Sequence, residues 1–208
     1  MARDGGFLIA IEGPDAAGKR TQSSKLVSWF SEKGVRAFTM SFPDYGTPIG
    51  KEILTFLESK RDYPAQVRHM LFAANRWEKR DKILHLLEQN TFLVVNRYTE
   101  SNIVYGTANG LDEKWLWNLE HGMPKTDLVV VLDIGLEEIK FRRKRFDMYE
   151  GDLSLQEKVR SIYQCLAEKH DWQVVDGRGT IDKVHNSIKE IITRKFSKLV
   201  PELQEGEG

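Results

Sequence analysis

The chain reads as an α/β protein, a five-stranded parallel sheet wrapped by helices, and three observations predict it. Five short, mostly apolar runs have the length of strands: Phe7–Glu12, Arg36–Phe42, Phe92–Val95, Asp127–Leu132 and Trp172–Val175. Two of them, FLVV and DLVVVL, are apolar almost throughout, as strands covered on both faces are. Between the runs, apolar residues recur at helical spacing. The first run also passes without a gap into Gly13-Pro14-Asp15-Ala16-Ala17-Gly18-Lys19, which fits G-x-x-x-x-G-K between strand and helix. Alternating strands and helices imply parallel pairing through right-handed crossovers.

Taken in order, Leu26, Val27 and Phe30 predict a helix over Lys19–Lys33, closed by Gly34. Thr47 and Pro48 read as N-cap and first residue of a short helix with Ile49, Ile53 and Leu57 on one face. One long helical pattern covers about Pro64–Gln89. Ser101–Ala108 and Asp112–His121 read as helices, and Glu137–Arg145 as a helix with a basic end. Ser154 with Glu157 forms a capping-box signature for a helix to about Lys169, and Ile181, Val184, Ile188 and Ile191 mark the last helix. A single domain is expected over residues 1–200, with the acidic, glycine-rich 201–208 a disordered tail.

Acids and bases balance at 31 each among 208 residues, which argues against a general nucleic-acid or membrane-surface binder and leaves charge to act locally. No apolar run approaches the roughly 20 residues of a membrane span. The lone Cys165 has no partner for an internal disulfide, and MARDGG lacks the apolar run of a signal peptide, so a cytoplasmic compartment is expected. Cys165 itself reads as a small core residue. The five histidines, at 69, 85, 121, 170 and 185, show no metal-ligand spacing and read as ordinary surface or helix residues.

The glycine-rich junction reads as a phosphate-binding loop, against the alternative of a glycine turn with a surface lysine. Gly13 and Gly18 let the backbone turn tightly and aim N–H groups at oxygen anions, and Lys19 reaches the β and γ phosphates beside the positive end of a helix. Arg20 stands where a magnesium-binding Ser or Thr is usual, with Thr21 only after it. Ligands in such folds gather at the carboxyl ends of strands, here Gly13, Phe42, Asn96, Asp133 and Asp176.

The segments at those ends carry a resemblance. GPDAAGK, then FPDYG at 42–46, LFAANRWE at 71–78, Asn96-Arg97-Tyr98 with Ser101, Asn102 and Tyr105, GMPKTDL at 122–128 and a segment ending in Tyr149-Glu150 resemble the thymidylate kinase (dTMP kinase) family of P-loop nucleoside monophosphate kinases, from about Phe7 to Ile192. The resemblance implies the P-loop kinase type of fold, a lid over about 140–152, and a homodimer. It also implies transfer of the ATP γ-phosphoryl group to dTMP, assisted by Mg2+.

For single residues, the resemblance implies that Gly13 to Thr21 hold the ATP phosphates and that Lys19, Asp15 and Arg97 act on the reacting groups. Phe72, a core aromatic on its own evidence, would stack on the pyrimidine, and Arg76 on the same helix face would donate to O4, rejecting the amino group of cytosine. Asn102 would satisfy N3–H, with Phe42 and Ser101 lining the same site. Arg97 would clamp the 5′-phosphate with the Tyr45 hydroxyl, although a structural salt bridge also accounts for an arginine after a buried strand. Tyr105 would fill the space beside the 2′ carbon. Asp15, otherwise a turn residue, would contact the 3′-hydroxyl or organise the metal's water shell.

The run Lys140–Arg145 reads as a solvated helix face or nucleic-acid patch, whereas the family places there a lid whose arginines neutralise the transferring phosphoryl group. Spacing does not choose among Arg142, Arg143 and Arg145. Asn96 departs from the family's Asp-Arg-[Tyr/His] pattern, losing one negative charge near the metal that it and Asp15 would hold indirectly. Two alternatives follow: a kinase with a broader acceptor range that takes dUMP, or a nucleotide-binding homologue weakened by Asn96 and Arg20.

Overall fold

The structure, a computed structural model, describes residues 5–89, 91–142 and 152–203. Its elements in chain order are β1 (Phe7–Glu12), α1 (Lys19–Glu32), β2 (Ala37–Ser41), α2 (Pro48–Leu57), α3 (Ala65–Trp77), α4 (Arg80–Glu88), β3 (Phe92–Asn96), α5 (Thr99–Ala108), α6 (Glu113–Leu119), β4 (Leu128–Asp133), α7 (Leu136–Arg142), α8 (Leu153–His170), β5 (Gln173–Asp176) and α9 (Ile181–Phe196). The five strands form one parallel sheet in the order β2-β3-β1-β4-β5. The expected sheet is thus the observed one.

Two-residue periodicity divides the core. Leu8 and Ala10 of β1 face a cluster with Ile53, Phe56, Ile103 and Tyr163, while Ile9 and Ile11 face Leu26, Phe30, Ile188 and Ile192. Each large apolar side chain so buried contributes roughly 1.5–3 kcal/mol. Because β1 is central, its end is flanked by two neighbours: Ile11 lies level with Asn96 of β3, and Glu12 with Val131 of β4. Everything that leaves β1 and β3 at that edge converges.

Several expectations are corrected. The pattern over 64–89 is two helices, α3 and α4, broken at Glu78 and Lys79 without a glycine or proline. Tertiary ties redirect the chain there: Lys79 pairs with Asp44 at 3.0 Å, Trp77 Nε1 donates to Leu119 O, and Arg80 Nε donates to Gly122 O. The cap of α8 is Asp152, which accepts from Leu155 N at 3.0 Å, and Ser154 lies inside the helix. Cys165 is exposed on α8 rather than buried. His69, on α3, and His185, on α9, are helix residues as expected, and both are buried. Pro201–Leu203, expected in the tail, form a short helical turn whose Leu203 joins the core; residues 204–208 lie outside the described ones. Thr47 caps α2 as expected, accepting from Gly50 N. Among the described residues, no helix is long and apolar enough to cross a membrane.

Candidate active site

The loop after β1 has the conformation its glycines allow. Gly13 sits at φ +133°, and a Cβ there would lie 2.4 Å from Leu132 O, so conformation and space both demand glycine. Gly18, at φ +89°, precedes α1 in open space, and Ala16 takes φ +61° without being glycine. Such a backbone costs about 1–3 kcal/mol at a non-glycine residue and marks a functional turn. Lys19 is buried beneath the loop, its Nζ donating to Gly13 O (3.1 Å) and Pro14 O (2.6 Å). Ala17 is buried, and Arg20 and Thr21 are exposed on the first turn of α1.

Across the sheet edge Arg97 follows β3, also with a left-handed backbone, at φ +61°. Its Nη2 is paired with Asp15 Oδ1 and donates to the Tyr105 hydroxyl at 3.1 Å, and the guanidinium lies 5.0 Å over the Tyr105 ring. Asp15 is held from its other side by Gln156, whose Nε2 donates to Oδ2 and whose Oε1 accepts the Asp15 backbone N–H. Beneath them Glu12, fully buried, accepts from Tyr98 N (2.7 Å), Ser101 Oγ (2.5 Å) and the Tyr163 hydroxyl (2.7 Å). A buried carboxylate with three donors is satisfied, and it fixes where α5 begins.

Between these groups and α3 opens a pocket lined by Asp15, Phe42, Tyr45, Phe72, Arg76, Arg97, Ser101, Asn102 and Tyr105, together with His69. Every residue expected on the acceptor side therefore meets in one cavity. Phe72 presents its ring edge-on to Phe56, with centroids 5.5 Å apart. The wall carrying Tyr45 is pinned by Asn75, whose Oδ1 accepts from Asp44 N and whose Nδ2 donates to Asp44 O and Thr47 Oγ1.

At the end of the pocket nearest α3 and α6 the geometry adds what the sequence left out. Arg76 forks onto Glu120, with Nε on Oε2 at 3.0 Å and Nη2 on Oε1. Both residues are buried, and Arg76 Nη1 makes no hydrogen bond to the described residues. Asn102 Nδ2 donates to the same Glu120 Oε1 at 2.7 Å, and its Oδ1 faces His69 Nδ1 at 2.7 Å. The amide oxygen expected to meet N3–H is thus already engaged within the protein.

Toward the donor side, Arg142 donates from Nη2 to Gly177 O (2.9 Å) and from Nε to Glu138, tying the base of α7 to the turn after β5. Arg143, Arg145 and most of the expected lid lie outside the described residues. Asp133 and Asp176 occupy their strand ends, paired with Arg160 and Arg178. Asn96 donates from Nδ2 to Ser41 Oγ at 3.3 Å, and its Oδ1 is a buried oxygen without a partner among the described residues. Among the described residues no group of three or more His, Cys, Asp and Glu could hold a metal.

The family model described as thymidylate kinase matches residues 11–188, spanning both the glycine loop and the acceptor pocket. The chain belongs to the thymidylate kinase family. It is 36% identical over 193 residues to the thymidylate kinase of Homo sapiens, covering 91% of each chain. To that of Dictyostelium discoideum it is 34% identical over 195 residues, 93% of this chain and 88% of the relative. The solved thymidylate kinase of Candida albicans superposes with a TM-score of 0.82 at 33% identity, covering 96% of this chain and 94% of that one. Against this thymidylate kinase background, Glu12, His69, Asn75, Glu120, Gln156 and Tyr163 are the site residues that sequence reading did not assign. Each is defined by a partner distant in the chain, and only Asn75, within LFAANRWE, lies in a segment that the sequence singled out.

Proposed function

We propose that the chain transfers the γ-phosphoryl group of ATP to dTMP, releasing ADP and dTDP. The observation that carries this reading is the pairing of two anion cradles at adjoining strand ends: the glycine loop with Lys19, and Arg97 with Asp15 in a pocket that Phe72, Arg76 and Tyr105 also line. Phosphoryl transfer needs little covalent help from the protein, only two anions placed in line and neutralised. Lys19 holds the donor phosphates, and Arg97, sharing Asp15 with Gln156, holds the acceptor's 5′-phosphate. Phe72 stacks on the base, Arg76 offers Nη1 to O4, and Tyr105 closes the space beside the 2′ carbon. One or more of Arg142, Arg143 and Arg145 completes charge neutralisation when the lid is shut.

Mg2+, the expected partner of ATP, fits the residues present in a reduced way. Asn96 supplies a neutral oxygen with no partner among the described residues, and Asp15 is committed to Arg97 and Gln156, so the ion would rest mainly on nucleotide oxygens and water. Bound there, it would neutralise charge between the β and γ phosphates. A homodimer and a cytoplasmic location belong to the same proposal, the latter resting on the lone cysteine. The test is steady-state ADP release with ATP and Mg2+ against dTMP, dUMP, dCMP and UMP. Preference for dTMP is expected; preference for dCMP would overturn the roles of Arg76 and the pocket.

A further inference from the structure

The base end of the pocket contains a buried chain of four polar side chains whose hydrogen positions can be worked out one from the next. Arg76 pins Glu120 as a two-pronged acceptor. Glu120 Oε1 in turn accepts from Asn102, so the nearer end of that amide must be its NH2, and a second contact from Nδ2 to the His69 carbonyl (3.2 Å) agrees. The other end is then the oxygen, which can only accept. His69 Nδ1, 2.7 Å from it, therefore carries a proton.

His69 is fully buried, and burial, opposed only in part by Asn102, pushes its pKa down to about 4, so the ring is neutral near pH 7. A neutral imidazole with its proton on Nδ1 has a bare lone pair on Nε2. That Nε2 is a buried acceptor with no partner among the described residues, on a side chain that lines the acceptor pocket with its ring 5.7 Å from that of Phe72. A buried polar atom left unpaired calls for an explanation, and a ligand N–H supplies it.

We propose that His69 Nε2, held as an acceptor by Asn102 and Glu120, takes the imide N3–H of the acceptor pyrimidine. Thymine and uracil bring a donor to this point. Cytosine brings a lone pair, which would face another lone pair in a dry site. His69 is accordingly a specificity residue, Asn102 and Glu120 are positioning residues, and the role expected of Asn102 passes one side chain along. The inference rests on dTMP being the acceptor.

The first test is 15N NMR of the full chain labelled at histidine. Free protein should show one ring of His69 protonated at Nδ1 and bare at Nε2, and saturation with dTMP should move the Nε2 resonance toward the hydrogen-bonded position while dCMP leaves it in place. A protonated Nε2 in the free protein, or no response to dTMP, overturns the assignment. The second test is His69→Phe, with His69→Gln as the variant that restores an oxygen near the position of Nε2. His69→Phe should lower kcat/KM for dTMP about tenfold or more, chiefly through KM, and shrink the dTMP over dCMP preference by the same factor, with partial recovery in His69→Gln. Equal losses for both acceptors would mean that His69 only supports the pocket. If the wild type prefers dTMP and His69→Phe keeps that preference, the His69 inference falls alone. Should the wild type neither phosphorylate dTMP nor show the resonance shift, it falls together with the kinase reading.

Discussion

On the proposed reading, the donor loop and the acceptor pocket solve the same problem, receiving phosphate anions, by opposite means. On the donor side the backbone does the receiving: Gly13, Ala16 and Gly18 hold positive φ angles, and Lys19 is anchored to two carbonyls of its own loop. On the acceptor side the groups are side chains, and each is held by another from elsewhere in the chain, Asp15 by Arg97 and Gln156, Arg76 by Glu120, Asn102 by Glu120 and His69. A backbone cradle tolerates changes around it but not within it. A side-chain cradle transmits every change, because removing one member leaves a buried partner unsatisfied.

The largest expected effect breaks the acceptor side. Arg97→Ala should lower kcat/KM for dTMP by about 10³-fold, as loss of a phosphate-clamping arginine does. Binding of ATP alone, read by calorimetry, should change far less, and an equal loss of ATP affinity would erase the distinction between the two cradles. On the donor side, Gly13→Ala should cost about 1–3 kcal/mol of local strain, besides the clash with Leu132 O. It should abolish ATP binding while leaving dTMP able to bind, which thermal shifts with each nucleotide would separate.

What could be read in the sequence follows the same division. The glycine loop was legible because its chemistry is local: strand, turn, lysine and helix lie within fifteen consecutive residues, 7–21. Glu12 was not, since it ends an apolar strand and looks like the edge of a hydrophobic run, and its partners Tyr98, Ser101 and Tyr163 stand 86, 89 and 151 positions away. Gln156, 141 positions from Asp15, and Glu120, 44 from Arg76, were hidden for the same reason. Asn102 lines the pocket, but its oxygen is spent on His69, a lone histidine that no spacing rule singles out.

A smaller effect sharpens the comparison without touching either nucleotide. Glu100, behind the acceptor pocket, is pushed up to about 7 by burial and then by Glu12. The folded state thus binds this proton more tightly than the unfolded one, whose value is near 4.5, so the benefit is complete below pH 4.5 and lost as the pH rises through 7. Glu100→Gln should flatten the pH dependence of stability between those values and gain roughly 2 kcal/mol at pH 8, measured by urea unfolding. A parallel pH curve for variant and wild type would refute the assignment. The smallest expected effect is at the boundary of the two cradles. On the proposed reading Asn96→Asp adds a charge beside the Mg2+ that accompanies ATP, and it should raise turnover by about tenfold, the lower end of what one outer-shell contact on a metal is worth. No gain at any magnesium concentration would show that the charge was not missed.

Glu12 has one more consequence. It is the residue before Gly13, so the rod that launches the donor loop is the same rod to which the acceptor helix α5 is bolted. On the proposed reading, the spacing between the two substrates is therefore a matter of a single peptide step. Anyone refitting this enzyme for a different base has freedom at α3 and α6, and almost none at the strand from which both nucleotides take their distance.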